Sequence, residues 1–531
     1  MRRHALGLAA ATSLLLAMAT GGGALAQKPG GILKMYSIDS PPSMSILDGP
    51  NPTGQRLMMA VFNNLVMFDQ EVKQNNIASI VPDLATSWSW NEDGTELTLP
   101  LRQGVRWHDG KPFTAKDVQC TWDLLLEKST DRLRGNPIKA WYRHLDRVTT
   151  NGDFEVTFHL KRPQPAFPML LADGFSVIYP CHVTAAQMRQ HPIGTGPFKF
   201  VEFKPNEHVK VTRNPDYWKP GRPYLDGIEY TIIRNLSTAV LALVAGKFDL
   251  SWPYSLSVPL VRDVKSQAPQ ALCEMTAGSA NRHLLVNRDK PPFDNPELRQ
   301  AMALSLDRKA FIDIISEGQG DIGGVLQPPP GGLWGMPPDM LKELPGYDLD
   351  VPKNRAQARR IMERLGYGPD KRLKIKVSTR DLPAYRDPAV ILIDQLKEVY
   401  IDGELETIDT TVYFPKIVRK DFTVGLNLQT SGPDPDRTLE LFYACGASLN
   451  WDGYCSPEVD RMIEQQSIET EEGRRKQLLW AIERKLAEDG ARPIIFYSRG
   501  GTCWQPYVKG LALMVTSAFN GNRFEDVWLD R

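Results

Sequence analysis

The sequence predicts a mixed α/β fold organised in at least two lobes. Segments in which apolar and polar residues alternate, as in strands, are interleaved with segments whose apolar residues recur at helical spacing. With 531 residues, the chain is longer than one hydrophobic core usually organises. Its 42% hydrophobic and 24% charged residues are a globular composition, which excludes disordered, collagen-like and coiled-coil chains.

The first elements can be assigned in order. A strand is expected at residues 31–36, since the two prolines that follow cannot sit in a central ladder. A helix is expected over about 53–67, where apolar residues recur at helical spacing. In residues 88–99, apolar and polar residues alternate on both sides of an Asp-Gly pair, which is typical of a hairpin. Thr114 should start a helix, because Asp117 completes an acidic variant of the capping box.

The rest of the chain continues the same mixture without a sequence repeat. The predicted strands are 154–160, 283–287, 373–378, 423–428 and 493–497. The predicted helices are 295–315, 355–365, 389–399 and a pair over 458–488. The Pro/Gly-rich run 327–338 is expected to be a long surface loop at an opening between lobes.

The first 26 residues predict export. Arg2 and Arg3 precede an apolar stretch, and small residues lead to an Ala-Leu-Ala triplet that ends at Ala26. This is a charged n-region, an h-region and an A-x-A cleavage site. A membrane anchor is the weaker alternative, because the apolar run is shorter than the roughly 20 residues that span a bilayer. We therefore expect a signal peptide at residues 1–26, cleaved after Ala26.

The charge balance argues against nucleic-acid binding. The chain has 63 basic and 63 acidic residues, and removal of Arg2 and Arg3 leaves 61 against 63, a net charge of −2. Without a positive field, binding to a phosphate backbone loses its main driving force. We expect no nucleic-acid partner.

The six cysteines are disulfide candidates in an oxidising compartment, although the sequence cannot choose among the possible connectivities. Cys445 and Cys455 bracket a short polar loop that a disulfide would close, and Cys120 and Cys181 form another possible pair. No C-x-x-C motif occurs, which argues against zinc ribbons and thioredoxin-type redox chemistry.

No motif demands an enzyme or a cofactor. A G-x-G-x-x-G pattern at 318–323 follows a predicted helix and precedes prolines, whereas dinucleotide binding needs a strand before it and a helix after it. Walker A, H-E-x-x-H and G-x-S-x-G motifs are absent from the sequence, and the histidines never stand at i, i+4. A hydrolase site assembled from distant residues stays open, because such sites leave no local motif.

Three groups of motifs occur in a fixed order along the mature chain. They are LRQGVRWHDGKPFTAKDV at 101–118; GTGPF at 194–198 with NPDYW at 214–218; and Asn287 with PPFD at 291–294, LRQA at 298–301 and SLDR at 305–308. In order and spacing they resemble the extracytoplasmic solute-binding proteins of family 5, the peptide, nickel and oligopeptide binding components of ABC importers. The resemblance extends over nearly the whole mature chain.

The resemblance implies a two-lobed periplasmic binding protein of class II, cluster C type, with a hinge of two crossing strands and an extra subdomain in lobe I. It implies lobe I at 27–271, with the extra subdomain at about 50–190, lobe II at 272–503, and a C-terminal return to lobe I at 504–531. Cys273 and Cys503 then fall beside the two crossovers, where a disulfide would brace the hinge. The loop between Cys445 and Cys455 resembles a disulfide loop of dipeptide-binding members.

The resemblance also implies a ligand site. The aspartate that pairs with the peptide's α-ammonium in dipeptide-binding relatives aligns with Ser431, whose hydroxyl cannot give a charge-assisted bond of carboxylate strength. Asp434 would replace it if the loop differs by a few residues. Arg380 corresponds to their carboxylate-binding arginine, although a surface arginine at a strand end is an equal alternative. The other candidates are Gln429, Thr430, Tyr36 and Ser40, with Trp334, Trp451 and Trp504 as cleft walls.

The implied function is that of a non-enzymatic, monomeric periplasmic component that captures a small peptide or a related polar or anionic solute and delivers it to an ABC permease. Arg380 without an acidic partner favours an anionic or hydroxylated solute over a zwitterionic peptide. Two alternatives are a secreted hydrolase that acts on a small peptide-like or ester substrate and a metal- or metallophore-binding protein.

Overall fold

The computed structural model describes residues 27–48, 52–515 and 522–531, so the expected signal peptide, residues 1–26, lies outside the described residues. The strands are β1 Ile32–Ser37, β2 Val66–Phe68, β3 Ile80–Pro82, β4 Ser89–Trp90, β5 Glu96–Pro100, β6 Leu145–Thr150, β7 Glu155–Leu160, β8 Phe198–Lys204, β9 His208–Arg213, β10 Gly227–Ile232, β11 Leu272–Val286, β12 Gly320–Asp321, β13 Leu373–Arg380, β14 Ile401–Ile408, β15 Val424–Thr430, β16 Ile494–Trp504, β17 Val508–Lys509 and β18 Trp528–Leu529. The α-helices are α1 Pro52–Met58, α2 Ala115–Leu125, α3 Phe167–Ala172, α4 Ala185–Met188, α5 Leu236–Val244, α6 Val258–Gln267, α7 Pro296–Leu304, α8 Arg308–Ser316, α9 Pro338–Leu341, α10 Val351–Arg364, α11 Pro383–Lys397, α12 Thr410–Val418, α13 Pro435–Phe442, α14 Pro457–Ile468 and α15 Glu472–Glu488. Short 3-10 turns occupy Met59–Val61, Ile77–Ser79 and Pro137–Tyr142.

The first lobe contains a four-stranded sheet in the order β1-β10-β9-β8. β1 pairs in parallel with β10, and the other two pairings are antiparallel. In β1, Leu33 and Met35 are buried while Ile32 and Lys34 are exposed. This is the alternation expected of a strand with one face on the core.

A second, antiparallel sheet of the first lobe has the order β4-β5-β7-β6. The predicted hairpin turns through Gly94 at φ +64°, a conformation that favours glycine. The predicted capping box is present, since the Thr114 N–H donates to Asp117 Oδ2 at 3.0 Å at the start of α2. Trp122 of α2 packs edge-on against Phe158 of β7, with ring centroids 4.8 Å apart, so the helix covers this sheet.

The second lobe is built on a six-stranded mixed sheet in the order β12-β16-β11-β15-β13-β14. β13 pairs in parallel with β14 and β15, whereas β11 is antiparallel to β15 and β16. The second lobe has its own hydrophobic core, formed by buried side chains from these strands and from α7, α8, α10 and α11. This core is separate from the largest cluster of buried hydrophobic side chains, which lies mainly in residues 33–271. The lobe bounds expected from the sequence stay a prediction.

β11 and β16 are the two long strands that join the lobes. Their pairing begins with Leu272 opposite Trp504 and continues into the second-lobe sheet. Leu250 forms bridges with both Trp504 and Met35. The bridges link β16 to β1, so the crossing strands are tied to both sheets.

All three expected disulfides are present, namely Cys120–Cys181, Cys273–Cys503 and Cys445–Cys455. The second of them joins facing residues of β11 and β16, with Cα atoms 4.1 Å apart. It therefore connects the two crossing strands at their first-lobe end.

The helix expected over 53–67 is wrong in its second half, because helical structure ends at Val61. The Gly196 N–H donates to Val61 O at 3.0 Å, and Asn63 Nδ2 donates to Asp83 Oδ1 at 3.0 Å. Bonds to distant segments thus replace the next helical turn. A Cβ at Gly194 would lie 1.9 Å from Val61 O, so this close approach requires glycine.

Two other elements also differ from the prediction. Residues 295–315 form two helices, α7 and α8, because Asp307 Oδ1 accepts from the Ala310 N–H at 3.0 Å and caps the second. The short strand expected at 283–287 is the end of the 15-residue β11. The first half of β11 contains polar residues such as Thr276, so it lacks the apolar alternation that identifies strands.

Candidate functional site

A cavity that is partly open to solvent lies between the two lobes. Gln74, Asn75 and Val515 line it from the first lobe. Residues within 326–334 and 431–435 line it from the second lobe. The Pro/Gly-rich loop, expected at an opening between lobes, therefore forms one wall of this cavity.

Ser431 and Trp334 are the two predicted contact residues that line the cavity. Ser431 directly follows β15 and is 2% exposed, and its backbone N–H donates to Ser279 O at 2.9 Å. The Ser431 side chain lies beside the Tyr497 hydroxyl. Trp334 makes a cation–π contact with Arg475, whose guanidinium lies 4.7 Å from the centroid of the indole ring.

Gln429 and Thr430 end β15 just before the cavity but are not among the residues that line it. Gln429 Oε1 accepts from Arg492 Nη1 at 3.3 Å. Arg492 also forms a fully buried ion pair with Asp452 at 2.9 Å. These contacts fix the end of β15, and hence the position of Ser431.

Asp434 is engaged by Arg475. The guanidinium donates to both carboxylate oxygens of Asp434, at 2.8 and 2.9 Å, and to Asp436 at 3.2 Å. Asp434 is 1% exposed and also caps α13. Its carboxylate is thus an ion-pair partner inside the second lobe and does not line the cavity.

Arg380 lies at the end of β13, as predicted, and is half-buried. Its Nη1 donates to the Tyr385 hydroxyl at 2.9 Å, and its guanidinium lies over the rings of Tyr385 and Phe414, 4.7 and 5.3 Å from their centroids. It is not among the residues that line the cavity.

The four remaining candidates also do not line the cavity. Tyr36 is fully buried in the first-lobe core, and Ser40 Oγ accepts from the Asn206 N–H at 3.1 Å. Trp451 belongs to a small second-lobe core cluster. Trp504 stands in the crossing strand β16 and is partly buried against the first-lobe core.

Sequence reasoning missed the amide side chains of the cavity wall. Gln74 Nε2 donates to Gly331 O at 3.1 Å across the cleft, and Gln327 Nε2 donates to Gly278 O at 3.3 Å. Asn75 is 4% exposed. The run of consecutive amides at 74–76 is the one signal that could have drawn attention to this loop.

The lobes also meet at a second place, which we call the α13 contact. It consists of Asp436, Arg437 and Glu440 on α13 against Arg143, Gln164 and Asp173 of the first lobe. Gln164 Nε2 donates to Asp436 Oδ2 at 2.9 Å, Arg143 Nε lies 2.9 Å from Glu440 Oε2, and Arg437 Nε lies 3.7 Å from Asp173 Oδ2.

Burial perturbs the charges of the α13 contact. Burial, with the nearby charge of Asp436, raises the pKa of Glu440 to about 8 despite Arg143. Burial raises the pKa of Asp173 to about 6. Burial, together with Arg162 and Arg143, lowers the pKa of His144 to about 3, so this ring is neutral beside Glu440, 3.5 Å away.

Within residues 27–48, 52–515 and 522–531, no group of His, Cys, Asp and Glu side chains is arranged to hold a metal ion. Over the same ranges, no helix is both long and apolar enough to cross a bilayer.

Two lobes joined by crossing strands, with a cavity between them, define the two-lobed class II fold of periplasmic binding proteins. The family model described as bacterial extracellular solute-binding proteins, family 5 Middle, matches residues 79–450. The chain belongs to this family, which consists of binding proteins that act outside the cytoplasm.

Individual relatives support the same assignment. The chain is 26% identical over 499 residues to Di/tripeptide-binding protein 1 of Pseudomonas aeruginosa. The match covers 88% of each of the two proteins. It is 25% identical to the oligopeptide-binding protein AppA of Bacillus subtilis, over 88% of this chain and 86% of that protein.

Solved structures share the fold. The periplasmic binding protein DppA of Helicobacter pylori, in complex with the peptide STSA, matches with a TM-score of 0.81 at 23% identity over 95% of this chain and 99% of that one. The binding protein AgaA of A. tumefacien R10, in complex with agropinic acid, matches with a TM-score of 0.81 at 21% identity over 94% and 99%.

Proposed function

We propose that this protein is the solute-capturing component of an ABC importer, which binds a small peptide or a related polar solute between its lobes and delivers it to a membrane permease. The observation that carries this proposal is the cavity, whose walls come from both lobes. A solute that contacts both walls stabilises the closed arrangement over the open one, because only the closed arrangement offers both sets of contacts. The relatives named for di- and tripeptide or oligopeptide binding support a peptide as one candidate solute.

In this proposal Ser431 and Trp334 contact the solute, and Gln429 and Thr430 position Ser431 at the end of β15. Arg380 would anchor an anionic group only in an arrangement of the lobes that brings it to the cleft. In the proposal Asp434 serves as the ion-pair partner of Arg475, which donates to both of its carboxylate oxygens.

Tyr36, Trp451 and Trp504 serve as core or hinge residues in the proposal, and Ser40 as a loop residue. The protein acts in the periplasm as a monomer after cleavage behind Ala26, and it performs no chemistry on the solute.

The proposal is tested with the purified mature protein and its permease. Small molecules released on denaturation are identified by mass spectrometry, and each is added back in a thermal melt. A ligand at 100 times its Kd should stabilise the folded state by about 2.7 kcal/mol. ATP-dependent uptake into vesicles that contain the permease should require the protein. Recovery of a chemically altered ligand would reveal an enzyme, and uptake that is independent of the protein would refute the proposal.

A further inference from the structure

Two polar side chains among the described residues that line the cavity lack hydrogen-bond partners. Both amide atoms of Asn75 and the indole N–H of Trp334 are buried without a hydrogen bond, and the Ser431 hydroxyl has only the neighbouring Tyr497 hydroxyl beside it. Asn75 and Ser431 are 4% and 2% exposed. Buried polar groups in folded proteins are almost always paired, because an unpaired one loses its water without compensation. The unpaired amide and indole at one cavity indicate that a ligand supplies their partners.

The described residues that line the cavity also carry no charge. Among the described residues that line it, the polar side chains are Gln74, Asn75, Gln327, Ser431 and the indole of Trp334, and the others are apolar residues or glycine. Behind this wall, Arg475 is paired with Asp434 and Asp436.

A free peptide carries both an ammonium and a carboxylate group. Burying either group without a countercharge is costly, because a low-dielectric site does not replace the lost hydration. Among the described residues that line the cavity, no side chain carries a charge that could pair with either group. The wall therefore disfavours a zwitterion.

The polar groups of the described wall match hydroxyls. The Asn75 amide both donates and accepts, the Trp334 indole only donates, and the Ser431 hydroxyl does both. A hydroxyl can donate to one of these groups and accept from another, whereas a simple ether or ketone can only accept. The apolar residues Leu326 and Pro433 line the same cavity and offer surface to a ligand's C–H groups.

Resting on the proposed function, we infer that the solute is an uncharged, hydroxyl-rich compound of the sugar or polyol class. Asn75 and Ser431 determine this specificity by pairing with its hydroxyls. Trp334 donates its indole N–H to one of them.

The test is calorimetric titration of the full mature protein, freed of bound solute by unfolding and refolding, with cellobiose, maltose, sorbitol and the dipeptide Ala-Leu. Small molecules released from the untreated protein are identified by mass spectrometry in parallel. We expect an uncharged, hydroxyl-rich compound to be released or bound, and no calorimetric signal from Ala-Leu. Asn75→Leu should weaken binding of that compound at least about tenfold, while Asn151→Leu, at an exposed turn residue, should leave its Kd unchanged.

A second variant guards against a folding defect at Asn75. Ser431→Asp places a carboxylate in the wall and should also weaken binding of the neutral compound at least about tenfold. Release or binding of a peptide or another charged solute would overturn the inference and leave the proposed function standing. If no solute is released and none of the four probes binds, the inference fails, whereas the proposed function is decided by the uptake assay. Unchanged affinity in Asn75→Leu and Ser431→Asp would also overturn the assignment of the site.

Discussion

Protonation of Glu440 at the α13 contact should make stability depend on pH. This side chain is 3% exposed, and its pKa is raised to about 8 by burial and by the charge of Asp436. The folded protein therefore keeps this proton up to about pH 8, whereas the unfolded chain loses it near the ordinary value of a glutamic acid. Unfolding releases a proton between these values, so stability falls as pH rises through this window.

The size of the effect follows from the two pKa values. Between pH 6.5 and 8.0, a carboxyl group with a folded pKa of about 8 and an ordinary unfolded pKa removes about 1.5 kcal/mol from the free energy of unfolding. Histidines such as His144, whose pKa is lowered by burial, add stability that is lost only as pH falls below about 6.5. Burial also raises the pKa of Glu483 to about 7. This residue changes the stability in the same direction as Glu440, but it is present in every variant compared.

The assay is urea unfolding, followed by circular dichroism, at pH 6.5 and 8.0. Glu440→Gln keeps the shape of the side chain without its charge, so this variant should lose about 1.5 kcal/mol less than the wild type between the two pH values. The matched control is Glu398→Gln, at an exposed residue directly after α11, which should keep the wild-type pH dependence. Equal pH dependence in Glu440→Gln and the wild type would refute the reasoning.

Three further changes test parts of the fold by urea unfolding. Arg475→Ala should lower stability by about 3–5 kcal/mol, because it leaves two buried carboxylates without their countercharge; a loss below about 1 kcal/mol would contradict this. Gly194→Ala should cost at least about 1–3 kcal/mol, since its Cβ would meet the Val61 carbonyl oxygen, whereas Gly135→Ala meets nothing within 4 Å and should be near neutral. Replacing Cys273 and its partner by serine should cost about 2–5 kcal/mol, because the unfolded chain gains freedom, and unchanged stability would speak against this disulfide.

Local signals in the sequence predicted individual elements well. The capping box at Thr114 and the Asp-Gly hairpin turn are read from a few adjacent residues, and both occur as predicted. Elements that depend on distant partners were not predictable in this way. The helix that ends at Val61 and the first half of β11 are determined by contacts with Gly196 and with β16, which no local pattern records.

The candidate site was predicted only in part for the same reason. Similarity to a family motif selected Ser431, and the Pro/Gly-rich composition selected the loop that contains Trp334. Both residues line the cavity. Asn75 lies far away in sequence and reaches the cavity only when the lobes meet. The sequence also does not record that Arg475 lies against Asp434, the suggested replacement ligand.

The cavity and the α13 contact are joined through one short piece of chain. Ser431 and Pro433 line the cavity, and the chain enters α13, which bears Glu440, directly after Asp434. A solute that favours the closed lobes and a proton that favours the α13 contact therefore stabilise the same arrangement, and linkage requires each to strengthen the other. Solute affinity measured by calorimetry should be lower at pH 8.5 than at pH 6.5 in the wild type, and this loss should be smaller in Glu440→Gln. An equal loss of affinity in both proteins would show that the α13 contact does not open with the cleft, so that solute binding and closure at α13 are separate events.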